Sequence, residues 1–329
     1  MCNDTRMSSP ITLAIDRYDR HFPFFDGTIQ VPNGLDLNVL QVGETTALRD
    51  GAHRHKRMLR EMEFDAAEVS LSSFVMAKAR GLQFSGIPVF PRRLFSQTQI
   101  YVHDKTGLHD PSQLSGKRVG LQSFQTTLAV LAKGDTANEY GVDLESINWV
   151  VRSGETISFD TPKGWKIEYV PHDTDLGDLL SEGMIDALFL SRVPSTFDGR
   201  TIRRIYEDPK AACVDYYKKN GYFPIMHIVA IQDKVVELNP ELPRILFGMF
   251  KQAKEIADQY RDDPGWSQLA WGRMAMDEQA TQMGTDLWPI GFSDNAANIE
   301  RFIRYSHEQG LISSRFPASD LFHPSLLNT

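Results

Sequence analysis

Apolar runs of strand length alternate with stretches of helical spacing along most of this chain, and that alternation restricts its fold more than any other feature. The runs are Ile11 to Ile15, Leu35 to Val42, Ala66 to Leu71, Gln99 to His103, Arg118 to Gln122, Asn148 to Val151, Ile167 to Val170, Ala187 to Ser191 and His227 to Ile231. Strands separated by helices form βαβ units, which build largely parallel sheets with helices on their faces. The fold class is therefore α/β. Two helices can be placed from their ends. Asn239 is a good N-cap, Pro240 suits a first turn, and Leu246, Phe250, Ala253, Ile256, Ala257 and Tyr260 recur at helical spacing. The second is expected from Thr126 or Thr127 to about Tyr140, stopped by Gly141 as its C′ residue.

The 329 residues suffice for about two domains. With 41% hydrophobic and 24% charged side chains, composition is ordinary for a globular chain and excludes a disordered tail or a disulfide-stapled mini-protein. Charge is 35 basic against 43 acidic groups, net −8, the wrong sign for a surface that must neutralise many phosphates, so nucleic acid is not an expected partner. Two cysteines, Cys2 and Cys213, are too few for a disulfide framework and fit a reducing compartment. The start, MCNDTRMSSP, has no apolar h-region: residues 1–10 are expected to be disordered, and export is not signalled. No stretch approaches the ~20 apolar residues of a membrane span. The expected location is the cytoplasm, without a membrane partner.

An internal echo suggests two similar halves. Glu63-Phe64-Asp65-Ala66-Ala67 leads into a strand reaching Ser70, and Met184-Ile185-Asp186-Ala187-Leu188 leads into one reaching Ser191. The strand Gln99 to His103 is followed by a polar connection, 104–114, which reads as a crossing between lobes, with the return near His227 to Asp233. The expected division is 1–103 with 229–329 as a discontinuous first lobe, and 104–228 as the second.

Several blocks together carry a resemblance. Tyr18-Asp19-Arg20, Ser70-Leu71-Ser72-Ser73-Phe74, Pro88-Val89-Phe90-Pro91, Gly116-Lys117-Arg118-Val119-Gly120, Ser191-Arg192-Val193-Pro194-Ser195, Phe223-Pro224-Ile225-Met226-His227 and Trp288-Pro289-Ile290-Gly291 resemble, in order and spacing, the 4,5-dihydroxyphthalate decarboxylase family. That family is similar in fold to type II periplasmic solute-binding proteins. The resemblance implies two α/β lobes joined by two strand crossovers, with the ligand in an interlobe cleft. It also implies loss of one carboxylate from 4,5-dihydroxyphthalate, giving protocatechuate and carbon dioxide, and makes a homo-oligomer plausible. The chain departs from the family pattern in its basic segment Gly51-Ala52-His53-Arg54-His55-Lys56-Arg57 and at Ser123-Phe124-Gln125.

Direct loss of carbon dioxide from an arene would leave an electron pair in an in-plane orbital that the ring cannot delocalise. Protonating the carbon that bears the carboxylate instead lets a para hydroxyl release electron density, and the dienone-like intermediate regains aromaticity as carbon dioxide leaves. Such a site needs an acid, a group for the phenolic proton and cations for the spectator carboxylate, and this scheme requires no redox or electron-sink cofactor. His227 is the first choice for the acid, because imidazole titrates near working pH. Asp19 and Glu68 are candidates to orient it or to accept the phenolic proton. Arginine forks suit carboxylates. Arg20 and Arg192 are favoured, and of the adjacent Arg92 and Arg93 only one is expected to face inward. Ser70, Ser72 and Ser73 in one lobe, and Gln125, Thr126 and Thr127 in the other, stand at helix N-termini, where two facing anion sites would match a dicarboxylate. Trp288 is placed ahead of Phe90 and Phe124 to stack on the ring. His53 and His55, amid Arg54, Lys56 and Arg57, lack a third ligand for a metal and read as a solvated basic loop. Nothing resembles a P-loop, a dinucleotide fingerprint, a zinc signature or a nucleophile elbow.

The alternative is a solute-binding protein for an aromatic or other anionic ligand, since the same cleft can bind without reacting. The absence of an export signal favours the enzyme.

Overall fold

The computed structural model describes residues 10–44, 48–152 and 154–329. The expectation of disorder for residues 1–9, with Cys2 among them, lies outside the described residues. The chain opens with β1 (Ile11–Ile15), β2 (Leu37–Gln41), α1 (Arg54–Leu59), β3 (Ala66–Ser70), α2 (Leu71–Ala79) and β4 (Phe84–Ile87). It continues with β5 (Ile100–His103), β6 (Arg118–Leu121), α3 (Thr127–Tyr140), β7 (Asn148–Val151), β8 (Lys166–Tyr169), α4 (Leu176–Ser181), β9 (Ala187–Phe189), β10 (Ile202–Arg204) and α5 (Pro209–Asn220). The last part holds β11 (His227–Gln232), α6 (Asp233–Leu238), α7 (Leu242–Tyr260), α8 (Gly272–Met283) and α9 (Ala296–Glu308).

One sheet has the order β2-β1-β3-β11-β4 and the other β10-β5-β9-β6-β7-β8. Listed from the other edge, the second sheet repeats the first, with β7, β6, β9, β5 and β10 standing for β2, β1, β3, β11 and β4, and with β8 added outside. The directions agree too. β1 is parallel to β2 and β3, and β6 is parallel to β7 and β9, whereas β11 runs antiparallel to β3 and β5 antiparallel to β9. The echo in the sequence has a physical basis here. Asp65 Oδ2, just before β3, accepts the Thr12 N–H and hydroxyl of β1 at 2.8 Å each, and Asp186 Oδ2, just before β9, accepts the Arg118 N–H of β6 at 2.8 Å. Each aspartate satisfies a backbone donor near the start of its neighbouring strand.

Sheet membership differs from the expected division at both crossings. β5 pairs with β9 and β10 in the second sheet, and His227 and Ile228 pair with Ser70 and Val69 in the first. An isolated apolar run carries no mark of the strand it will pair with. The sheets are also mixed rather than largely parallel, because β5 and β11 enter each against the grain.

α3 follows the expectation at both ends. Thr126 Oγ1 accepts the Ala129 N–H at 3.4 Å, and Gly141 terminates the helix at φ +68°. The long C-terminal helix starts later than expected. Asn239 closes α6, its Nδ2 donating to Val235 O at 3.3 Å, and α7 begins at Leu242 with Pro243 in its first turn. The described helices include none long and apolar enough to cross a membrane.

α3 joins the halves by packing on α9. Tyr305 of α9 is fully buried over Gly134, donates to Asp135 Oδ1 at 3.1 Å, and any Cβ at position 134 would come within 2.1 Å of its ring carbons. Gly134→Val is therefore expected to cost about 1–3 kcal/mol through overpacking. A lowered midpoint in thermal denaturation followed by circular dichroism is the expected result, and an unchanged midpoint contradicts this packing.

Candidate active site

The strand ends of both sheets converge on one cavity of about 660 Å³. Its wall takes Ser70 from the end of β3, His227 from the start of antiparallel β11, Gln122, Ser123, Gln125, Thr126 and Thr127 after β6, Arg152 after β7 and Ser191 with Arg192 after β9. This is the carboxyl-end position where open α/β sheets collect ligands.

Glu68 of β3 is the hub behind that wall. It has no solvent exposure, and its carboxylate accepts the Asp16 N–H at 3.1 Å, the Tyr18 hydroxyl at 3.1 Å and the His227 Nδ1–H at 2.5 Å, with Arg54 Nη2 at 3.0 Å. Burial opposes its charge, but the Arg54 guanidinium and the His227 hydrogen bond outweigh that and hold the carboxyl well below the usual carboxylate range. Burial pushes His227 down to about 4 against the pull of Glu68. At neutral pH the imidazole is thus neutral, with Nδ1–H on Glu68 and Nε2 left to accept a proton. His227 and Glu68 thus meet through Nδ1, which fixes the plane of the ring.

The segment read as a solvated basic loop is part of this site. His53 adopts φ +62°, a left-handed conformation uncommon for a side chain with a Cβ, and α1 begins immediately after it. That turn sends Arg54 inward, fully buried, where Nε donates to Glu68 O at 2.8 Å and Nη1 to Val42 O. His55, 8% exposed, faces the cavity with its ring edge-on to His227, centroids 4.8 Å apart. Composition suggested solvation, but the buried Glu68 carboxylate reverses it, since a buried charge must be paired.

The cavity carries more positive than negative groups: Lys56, Arg60, Arg92, Arg152 and Arg192 against Glu44 and Glu155. Of the adjacent arginines, Arg92 faces the cavity and donates to Ser191 O at 2.9 Å. Arg93 is buried elsewhere, donating to Phe223 O, Pro289 O and Asn295 Oδ1. Ser70 and Thr127 share a hydrogen bond of 2.8 Å, Ser73 donates to Gln125 Oε1 at 3.3 Å, and Ser72 is fully buried with its N–H on Thr127 Oγ1 at 3.2 Å. These bonds stitch α2 to α3. These bonds fill part of the anion site expected at the start of α2. Leu71 N–H donates to Met226 O, Ser72 N–H to Thr127, and the Phe124 and Gln125 N–H groups donate to Glu155 at 2.7 and 3.1 Å. The arginines and lysines of the cavity add side-chain charge to what these helix starts offer a ligand. Thr126 lines the cavity beside them as the α3 cap.

Three further expected residues, Arg20, Asp19 and Trp288, stand apart from the cavity lining. Arg20 donates to Pro91 O and Asp19 and lies 4.2 Å from the Tyr18 ring centroid and 4.3 Å from that of Trp288. Asp19 is held between Arg20 and Arg261 at 3.0 and 2.9 Å. Trp288 stacks on Arg20 and donates Nε1–H to Phe90 O at 2.8 Å. Each finds its charge or ring partner away from the cavity wall. Phe90 and Phe124 are core residues, the latter under the buried Lys133 ammonium. Among the described residues, no three His, Cys, Asp or Glu side chains converge as a metal site.

No protein-family model matches the chain. A 4,5-dihydroxyphthalate decarboxylase of Comamonas testosteroni is 32% identical over 331 residues, covering 97% of this chain and 98% of that protein. A protein of the same name from Pseudomonas putida is 30% identical over 222 residues, covering 64% of this chain and 83% of that protein. Among solved structures, the aliphatic sulphonate binding protein SsuA of Escherichia coli matches with a TM-score of 0.57 at 10% identity, over 96% of this chain and 92% of that one. The alkanesulfonate-binding protein SsuA of Xanthomonas axonopodis pv. citri, bound to MOPS, matches with a TM-score of 0.58 at 11% identity, over 96% and 98%. The fold is the two-lobed α/β fold of periplasmic binding proteins, as the resemblance implied.

Proposed function

The chain belongs to the 4,5-dihydroxyphthalate decarboxylase family, and from that premise we propose that it is a carboxy-lyase converting 4,5-dihydroxyphthalate to protocatechuate and carbon dioxide by protonating the carbon that loses its carboxylate. The observation that carries this reading is the buried Glu68–His227 pair, backed by Arg54, on the wall of a cation-rich cavity. A receptor for an anion needs the cations; it has no use for a cavity-lining imidazole held on a buried carboxylate. The lobes divide, in this reading, between β4 and β5 and again just before β11.

Arrival of the dianion beside His227 favours the protonated imidazole, because a nearby negative charge stabilises the charged form. The proton on Nε2 then passes to the ring carbon. Arg92, Arg152 and Arg192 are suited to hold the carboxylates, and Lys56 and Arg60 add charge at the cavity rim. As carbon dioxide leaves, the electron pair of the broken bond restores the aromatic ring.

Purified protein mixed with 4,5-dihydroxyphthalate is expected to deplete the substrate's ultraviolet spectrum and release one carbon dioxide per molecule consumed. Tight binding with an unchanged spectrum over hours is the result a solute-binding protein would give.

A further inference from the structure

His227 cannot supply both proton movements of this reaction. Its Nδ1 is committed to Glu68, so its Nε2 must serve the ring carbon, and the hydroxyl para to the departing carboxylate needs another acceptor. A second carboxylate and imidazole stand close together on the same wall, with His55 Nδ1 buried and not hydrogen-bonded. Glu44 follows β2 and accepts the His55 backbone N–H on Oε1 at 2.7 Å, and His55 Nδ1 lies 3.1 Å from the same oxygen. Both side chains line the cavity, and the His55 ring meets His227 edge-on. The 4.8 Å between ring centroids is of the order of the span of one benzene ring, so a substrate held against both can meet one at a ring carbon and the other at the opposite hydroxyl.

We propose that His55, backed by Glu44, is a second catalytic proton-transfer group, which takes the proton of the para hydroxyl while His227 protonates the ring carbon. The inference rests on the decarboxylase reading above. In the forward step the O–H bond breaks and its proton passes to His55, a C–H bond forms with the proton of His227, and the ring becomes a dienone. The C–C bond to the carboxylate then breaks, its electron pair re-forms the arene as a phenolate, and His55 returns its proton to that oxygen. His227 is reprotonated from solvent, so one proton is consumed for each carbon dioxide released.

The groups facing His55 are His227 of β11, Glu68 of β3, Arg54 of its own helix and Glu44 after β2, with His53, Lys56 and Arg92 at the cavity wall. Burial, then His227 and Arg54, keep its imidazole well below the ordinary histidine range, so it is neutral and able to accept. Burial pushes Glu44 up to about 7, which lets that carboxyl exchange a proton near working pH.

The test compares wild type, His55→Gln and Glu44→Gln in single-turnover carbon dioxide release from 4,5-dihydroxyphthalate. His55→Gln is expected to lower kcat about 100-fold and Glu44→Gln about tenfold, with KM changed much less than kcat. A folded His55→Gln protein with undiminished kcat, or an effect confined to KM, overturns the proposal. If His55→Gln does not fold, Glu44→Gln decides, and an unchanged kcat there overturns it as well. Wild-type protein inert toward the substrate sinks the decarboxylase reading itself, an outcome distinct from an active wild type with an active His55→Gln.

Discussion

His227→Asn is expected to lower kcat by about 10²–10⁴-fold while leaving affinity for the dicarboxylate within a few-fold, because proton transfer is lost and the cations that hold the anion are untouched. Asparagine preserves the size and a donor toward Glu68 but has no nitrogen that can carry a transferable proton. The free protein holds this imidazole neutral, with burial pushing it down to about 4, so the catalytic proton has to arrive with the substrate. Calorimetric titration at pH 7 in buffers of different ionisation enthalpy should therefore show uptake of about one proton by wild type on binding, and much less by the variant. Turnover that survives in His227→Asn, or a loss that lies wholly in KM, would remove His227 from the acid role.

Arg54→Leu should be the most damaging substitution outside the cavity lining. Arg54 is fully buried, pairs with Glu68 at 3.0 Å and donates to the Glu68 and Val42 carbonyl oxygens. Removing it strands a buried carboxylate and two carbonyls, at a cost of about 3–5 kcal/mol. The loss has a pH signature. In wild type the Glu68 carboxyl is held below its unfolded range, so its pairing stabilises the fold above that range and the contribution fades as pH falls through the folded value. Without Arg54 the same carboxyl is desolvated with less compensation, its proton affinity rises, and acidification relieves the penalty by neutralising it. Urea denaturation should thus show a smaller gap between wild type and variant at pH 5 than at pH 8. Adding Glu68→Gln to Arg54→Leu should recover part of the stability, as a coupled pair requires. A variant as stable as wild type at pH 8 would mean that the Glu68 hub does not hold this wall together.

Much of the frame was legible in residue order. The helix from Thr126 to Gly141 is marked by a hydroxyl that caps its first turn and a glycine that takes the left-handed position at its end, both signals within a few residues of their effect. Asp65 and Asp186 announced equivalent strands because each closes a β-strand start in the same way. The long helix was misplaced at its start because Asn239 and Pro240 also suit the end of a preceding helix, and Asp233–Leu238 is a short helix that periodicity over so few residues does not distinguish.

The site divides along the same line. Local pattern placed His227, Arg192, Gln125 and the Ser70–Ser73 block at strand ends and helix starts, since hydrophobic periodicity and capping are properties of neighbouring residues. It did not separate Arg20 from Arg54, although both are arginines in polar surroundings of the sequence. Arg20 is drawn to Pro91, Asp19 and Trp288, away from the cavity, whereas Arg54 is drawn to Glu68, and His227 reaches that same carboxylate from 159 residues away. Those partners are brought together by the pairing and register of β3 with β11, where His227 stands opposite Ser70. A buried charge goes where its counter-charge is, and strand pairing between distant segments sets that address, so it leaves no trace in the spacing of the residues that use it.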